Sequence, residues 1–188
     1  MTTATLTPTT ATTTWNIDPA HSAAEFKVKH MMIANVKGKF CGISGVLHLN
    51  QKDVAQSSVE ASIDVSTVNT QEAQRDAHLK SADFFDVEKF PAMTFKSTAI
   101  TSTGEREFAV TGDLTMHGVT KAVTFAVEGP SAPAKDPWGN LRIGLSAATK
   151  INRKDFGLMW NQALESGGVL VGEDVAITLD VQFIKAAN

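Results

Sequence analysis

From Trp15 onward, apolar residues recur along the chain with a period of two. Phe26 and Val28 alternate with Glu25, Lys27 and Lys29, and Val59, Ala61, Ile63 and Val65 alternate with Ser58, Glu60, Ser62 and Asp64. Phe108, Val110, Leu114 and Met116 share one parity; so do Val123, Phe125 and Val127, and Leu141, Ile143 and Leu145. Val175, Ile177, Leu179, Val181 and Phe183 complete the series. Successive side chains of a strand point to opposite faces, so this pattern predicts half-buried antiparallel strands. It marks out eight of them, at about 22–30, 36–49, 56–66, 92–101, 106–116, 119–129, 140–151 and 171–184. In the second, the parity switches at Cys41–Gly42, which predicts a bulge or bend. Gly104, His117-Gly118, Gly129-Pro130 and the loop Pro133–Asn140 supply turn chemistry between strands. Eight strands with short connections predict an all-β fold, an up-and-down or closely related antiparallel barrel.

Residues 67–88 break the alternation. Asn69 followed by Glu72 reads as a capping box, and Pro91 closes the segment, so one helix over roughly 70–81 is expected between strands three and four. The first fourteen residues hold nine threonines and no charge. They are expected to form a disordered arm (1–14) ahead of a single barrel domain (15–188). The arm has neither the basic n-region nor the continuous apolar h-region of a secretory signal. A cytoplasmic location follows if the chain is complete, and a periplasmic or secreted one if it has been trimmed.

Composition narrows the function classes. Seventeen Lys and Arg against twenty Asp and Glu give a net charge of −3, which argues against a nucleic-acid binder. No apolar run approaches the ~20 residues of a spanning helix, so no integral membrane segment is expected. The single cysteine, Cys41, allows no internal disulfide and is expected to be a small buried hydrophobe. The five histidines form no H-x-H, H-x-x-x-H or H-E-x-x-H pattern, so no metal site is assigned. A cross-strand site from His21, His30 and a distant acid stays open. Asp18, His21 and Ser22 have the residue types of a hydrolase triad but lie within five positions, without a G-x-S-x-G elbow. A structural role is expected, with Asp18 holding the imidazole and the other two satisfying backbone groups where strand one begins. No catalytic residue is assigned. Asn152, Arg153 and Asp155 read as a polar corner built on an Arg153–Asp155 pair, and Met159 and Trp160 as a loop covering one barrel end.

Several blocks occur in order along the chain: WNIDPAHS (15–22), FKVKH (26–30), VKGKF (36–40), RDAHLKSADFFDV (75–87), FPAMTFKS (90–97), GDLTMHGVTK (112–121) and NRKDFG (152–157). Together they resemble the YceI-like family of polyisoprenoid-binding, lipocalin-like bacterial proteins, from Trp15 to Phe183. The resemblance implies an extended, eight-stranded lipocalin-like barrel with a helix near one end. It implies a lumen holding a long apolar molecule such as a polyprenyl phosphate or a polyprenyl quinone, with fatty-acid-like amides in some relatives. The residues expected to line that lumen are Phe26, Val28, Phe40, Phe95, Phe108, Leu114, Met116, Phe125, Ile143 and Leu145, joined by Phe84 and Phe85 at its mouth. Five of the first ten are phenylalanines and the chain has no tyrosine, so the wall suits hydrocarbon. A buried methylene is worth about 0.8 kcal/mol, so a five-carbon isoprene unit contributes roughly 4 kcal/mol before ordering costs.

A phosphate or quinone headgroup needs polar partners, and Arg75, His78 and Lys80 on the expected helix are the candidates. Arg75 and His78 share a helix face, and arginine can grip phosphate with two parallel donors. The competing role for Arg75 is a salt bridge to Asp83 or Asp86. The expected function is non-enzymatic binding, storage or transport of a polyprenyl lipid, with no catalytic cofactor. The expected partner is a long apolar small molecule, with a homodimer allowed. The alternatives are fatty-acid or fatty-amide binding, an enzyme acting on such a lipid through the Asp18–His21 region, and a plugged barrel that binds a partner on its outer face.

Overall fold

The computed structural model describes residues 12–165 and 167–187. Eleven strands form one antiparallel sheet: β1 (Thr12–Ile17), β2 (Ala23–His30), β3 (Ala34–Phe40), β4 (Gly42–Asn50), β5 (Ser58–Asp64), β6 (Ala92–Gly104), β7 (Glu107–Met116), β8 (Val119–Glu128), β9 (Ala134–Lys135), β10 (Leu141–Asn152) and β11 (Val171–Lys185). One helix, α1 (Ala73–Lys80), lies between β5 and β6.

The strand register shows how eleven segments make eight staves. On one side β11 pairs with β10 from Asp174 to Ile184. Its other side pairs first with β2, from Val171 to Asp180, and then with β1, from Phe183 to Lys185. So β1 and β2 are two halves of one stave, broken at Asp18–Ser22. Likewise β3 pairs with β2 and β4 with β1, so β3 and β4 are two halves of the next stave, broken at Cys41. From β4 the sheet runs through β5, β6, β7, β8 and β10 and closes on β11. The predicted bend in strand two is this break. At the break, Thr67 Oγ1, from the segment after β5, accepts from the backbone N–H groups of both Cys41 and Gly42 in place of ladder bonds.

Two boundaries and the burial of one residue differ from expectation. Thr12–Thr14, assigned to the arm, pair with His48–Asn50 as strand, because Trp15 is anchored at 1% exposure and carries its neighbours into the wall. Residues 1–11 of the expected arm lie outside the described residues. The helix is shorter than 70–81, and Asn69 does not cap it. Glu72 is the N-cap and accepts from the N–H groups of Gln74 and Arg75, whereas Asn69 accepts from Gln71. Cys41 is exposed rather than buried, because the stave break turns its side chain outward.

The turns follow the expected chemistry. His117 and Gly118 both hold left-handed backbone (φ 52 and 73), the paired geometry of a tight two-residue hairpin between β7 and β8. Gly38 lies opposite Phe26 in register, and a Cβ there would come within 2.3 Å of the Phe26 ring. The missing side chain lets that ring lie flat on the neighbouring strand.

Two apolar clusters fill the barrel wall. One gathers around Trp15, Ile43, Ile143 and Phe183, the other around Phe156, Met116, Phe125 and Leu158. Between them the interior is not filled. Phe26, Val28, Val175, Ile177 and Leu179 face inward yet are only half-buried, as wall residues of a hollow tube must be.

Candidate binding cavity

A cavity of about 260 Å³ runs inside the barrel. On the same measure one water needs only ~10–15 Å³, so the space is a lumen and not a packing defect. Both Phe108 and Met116 border it, eight positions apart on β7, which is about 26 Å at ~3.3 Å per residue. One end is bounded by Arg153, Leu158 and Val171, the other by Val54, Phe108 and Pro130. Glu25, Ser57, Thr94 and Arg153 are the residues with polar side chains in a lining that is otherwise hydrocarbon, methionine thioether, glycine and proline.

Eleven of the twelve residues expected at the lumen line it: Phe26, Val28, Phe40, Phe84, Phe85, Phe95, Phe108, Leu114, Met116, Phe125 and Leu145. The exception is Ile143. It has the correct parity, but it is 2% exposed and packs in the cluster of Trp15 and Phe183, where the barrel closes against its own side chains. The alternating residues of β5 and β11, such as Ala61, Ile63, Ile177 and Leu179, also line the cavity. Their period-two pattern carried that information.

The segment 65–91 covers the gap between β3 and β6. Asn69 exchanges two backbone hydrogen bonds with Lys39 of β3, and Val65 N–H donates to Pro91 O. This sets Leu79, Phe84 and Phe85 against the cavity. Phe85 meets Phe40 edge-on at 5.8 Å, and Phe40 meets Phe26 at 5.6 Å. On the outer side His78 stacks edge-on against both Phe84 and Trp160, so Trp160 does help to cover this end.

None of the three headgroup candidates reaches the cavity. Arg75 donates from Nε to Thr70 Oγ1 (2.7 Å) and from Nη2 to Thr70 O (2.9 Å), so it forms neither the Asp83 nor the Asp86 bridge. Thr70 is itself tied to Asp76, which fixes the start of α1. Asp83 instead pairs with His78 (2.9 Å), and Asp86 with Lys89. Lys80 is half-buried on the same helix and does not line the cavity. A helix of eight residues shows only one face to the barrel, and Leu79 occupies it.

Of the two charged residues at the lumen, Glu25 is exposed and Arg153 is buried, at 3% exposure. Arg153 does not pair with Asp155. Its guanidinium donates to Gly172 O (2.9 Å), Leu158 O (2.5 Å) and, more weakly, Val171 O (3.5 Å). Burial lowers its pKa from the ordinary arginine value, yet a guanidinium keeps its proton in proteins. The planar fork thereby latches the corner after β10 to the start of β11.

At the opposite end Asp18, His21 and Ser22 are structural. Asp18 accepts from His21 (2.8 Å), and Ser22 Oγ donates to Asp18 O (2.7 Å) and accepts from Gln182 N–H. The serine proton points away from the imidazole, so the three do not form a nucleophile–base pair. The period-two reading missed Arg142, which joins Asp18 to Asp136 with ion pairs of 2.5 and 2.8 Å. Arg142, and secondarily His21, lower the Asp18 pKa to about 2; Arg142 likewise holds Asp136 well below the usual carboxylate range. Among the described residues, no group of three or more His, Cys, Asp or Glu is placed to hold a metal ion.

The YceI-like domain profile matches residues 15–183. The chain belongs to the YceI-like family. A UPF0312 protein of Staphylococcus aureus (strain N315) is 37% identical over 171 residues, covering 91% of this chain and 97% of the relative. Among solved structures, a Campylobacter jejuni YceI protein superposes with a TM-score of 0.70 at 30% identity, covering 86% of this chain and 91% of that one. Burkholderia cenocepacia BcnA gives 0.75 at 24% identity, covering 88% and 98%. A polyisoprenoid binding domain from Saccharophagus degradans, implicated in plant cell wall breakdown, gives 0.67 at 16%, covering 92% and 98%. The last two share the fold. The expected all-β, lipocalin-like barrel with one helix is therefore the architecture of this YceI-like chain.

Proposed function

We propose that this YceI-like protein binds a long-chain polyprenyl lipid, a polyprenyl phosphate or a polyprenyl quinone, in its lumen, and stores or carries it without chemical change. The observation that carries this reading is the cavity itself: hydrocarbon-lined and bordered along β7 from Phe108 to Met116, a stretch of about 26 Å of strand, an extent that suits a long chain better than a compact metabolite. At roughly 4 kcal/mol per five-carbon unit, a few enclosed units offset the cost of ordering the chain. The polyisoprenoid-binding description of the Saccharophagus degradans domain supports the same ligand class. No catalytic cofactor is invoked, because storage and carriage need only the apolar wall.

Organic extraction of the purified protein followed by mass spectrometry should release a polyprenyl lipid. Protein that emerges empty should take up labelled polyprenyl phosphate or polyprenyl quinone. Release of a fatty acid or fatty amide in place of an isoprenoid, or failure to take up either isoprenoid, refutes the reading.

A further inference from the structure

The geometry points to a membrane-docking device at one end of the barrel: the β2–β3 hairpin, with an apolar tip and a basic stem, sits on an anionic lipid surface. This goes beyond the cargo reading and stands without it.

The tip is Met31-Met32-Ile33, exposed by 39%, 60% and 80%. Met31 and Met32 both hold left-handed backbone (φ 51 and 60), a conformation that glycine, asparagine and aspartate adopt with least strain. Nothing in the fold requires methionine there. Burial does not account for these side chains, and turn propensity opposes them. Flexible, polarizable methionines and a β-branched isoleucine at an exposed apex are instead suited to insertion among lipid chains.

The stem carries Lys27, Lys29, Lys37 and Lys39, all exposed. Lys27 lies directly opposite Lys37 in register, a like-charge pair that destabilises a hairpin unless something outside neutralises it. Among the described residues none of the four makes an ion pair. The nearby acids of β11 are engaged elsewhere, Asp174 by Lys150 and Glu173 by Lys154, and Glu25 lies at the far end opposite Lys39. Between Glu25 and Asp53 the chain has no acidic residue, although the whole molecule is net acidic. The complement of this concentrated positive charge is a negatively charged surface.

The tip also stands at an end of the lumen. Met31 N–H donates to Leu170 O (2.7 Å), and the next residue, Val171, pairs with His30 and lines the cavity, as does Val28. Met159, 60% exposed, follows Leu158, whose carbonyl shares the Arg153 guanidinium with Val171. Docking would therefore bring this end of the lumen to the lipid.

The test is co-sedimentation of the full chain with vesicles containing no polyprenyl lipid, so that its failure leaves the cargo reading intact. Vesicles of phosphatidylglycerol mixed with phosphatidylcholine should bind the protein, and phosphatidylcholine alone should bind it weakly. Lys27→Gln with Lys37→Gln should weaken binding to the anionic vesicles roughly 25-fold, at about fivefold per lysine. Met32→Asn with Ile33→Asp should weaken it at least roughly tenfold. The Asn suits the left-handed backbone, so the hairpin should be retained, as an unchanged melting temperature would show. Trp138→Asp, at an exposed tryptophan on the β9–β10 loop, should leave binding unchanged. Absence of vesicle binding overturns the proposal. So does loss of binding in Trp138→Asp rather than in the tip variant, or a dimer in solution that the tip variant converts to monomer.

Discussion

Ala147→Phe tests whether the lumen is empty space that a ligand can use. Ala147 lies in the middle of β10, between Val127 on β8 and Leu179 on β11, and all three line the cavity. A phenyl ring placed there points into the tube. A cavity of ~150 Å³ is enough to hold benzene, so the ring fits within the 260 Å³ available and leaves about 110 Å³. The folded state should therefore escape the ~1–3 kcal/mol penalty of overpacking a filled core. In a chain of 188 residues that penalty would lower the melting temperature by roughly 2–12 °C; the expected change is no decrease. Ligand binding should change sharply. Displacing one isoprene unit forfeits about 4 kcal/mol, close to a thousandfold in affinity for labelled polyprenyl phosphate. Thermal melts and equilibrium binding on the same preparation read both quantities. A melting temperature lowered by the overpacking amount would mean that the tube is filled by its own side chains. An unchanged affinity would mean that the lipid resides elsewhere.

Two further outcomes follow from the charged clasps at the ends of the barrel. Asp18 has its pKa lowered to about 2, so its ionised form stabilises the fold at pH above about 4, and this contribution is lost as pH falls toward 2. The shift corresponds to about 2 kcal/mol, and Arg142→Ala should remove most of it at neutral pH while flattening the acid limb of stability; denaturant titrations from pH 7 to pH 2 that show parallel curves for the two proteins would contradict this assignment. Arg153→Lys should destabilise by roughly 1.5–3 kcal/mol, because an ammonium cannot reproduce the planar fork that reaches the Gly172 and Leu158 carbonyls together; a lysine variant as stable as the parent protein would show that the latch contributes charge alone.

The alternation of apolar residues was sufficient to specify eight staves, their approximate limits and the side chains that face inward, because a strand's period of two is set by its own backbone. The parity switch at Cys41 marked the stave break for the same reason. Local rules fell short where one side chain answers to several strands. Ile143 has a lumen parity but sits where the sheet closes on Trp15 and Phe183, so tertiary packing and not alternation made it core. Thr12–Thr14 look like a polar arm, and only the pairing of Trp15 with Leu47 and Lys185 draws them into the wall. Arg75 has the chemistry of a phosphate grip, but Thr70, five positions earlier, lies within its reach and takes its donors. Arg153, read as half of a local pair, reaches carbonyls 5, 18 and 19 positions away. Periodicity is a property of the strand and is written in the sequence. Closure, and with it the hollow bore and the burial of Arg153 at its end, depends on contacts between residues far apart in the chain, and these exist only once the barrel has formed.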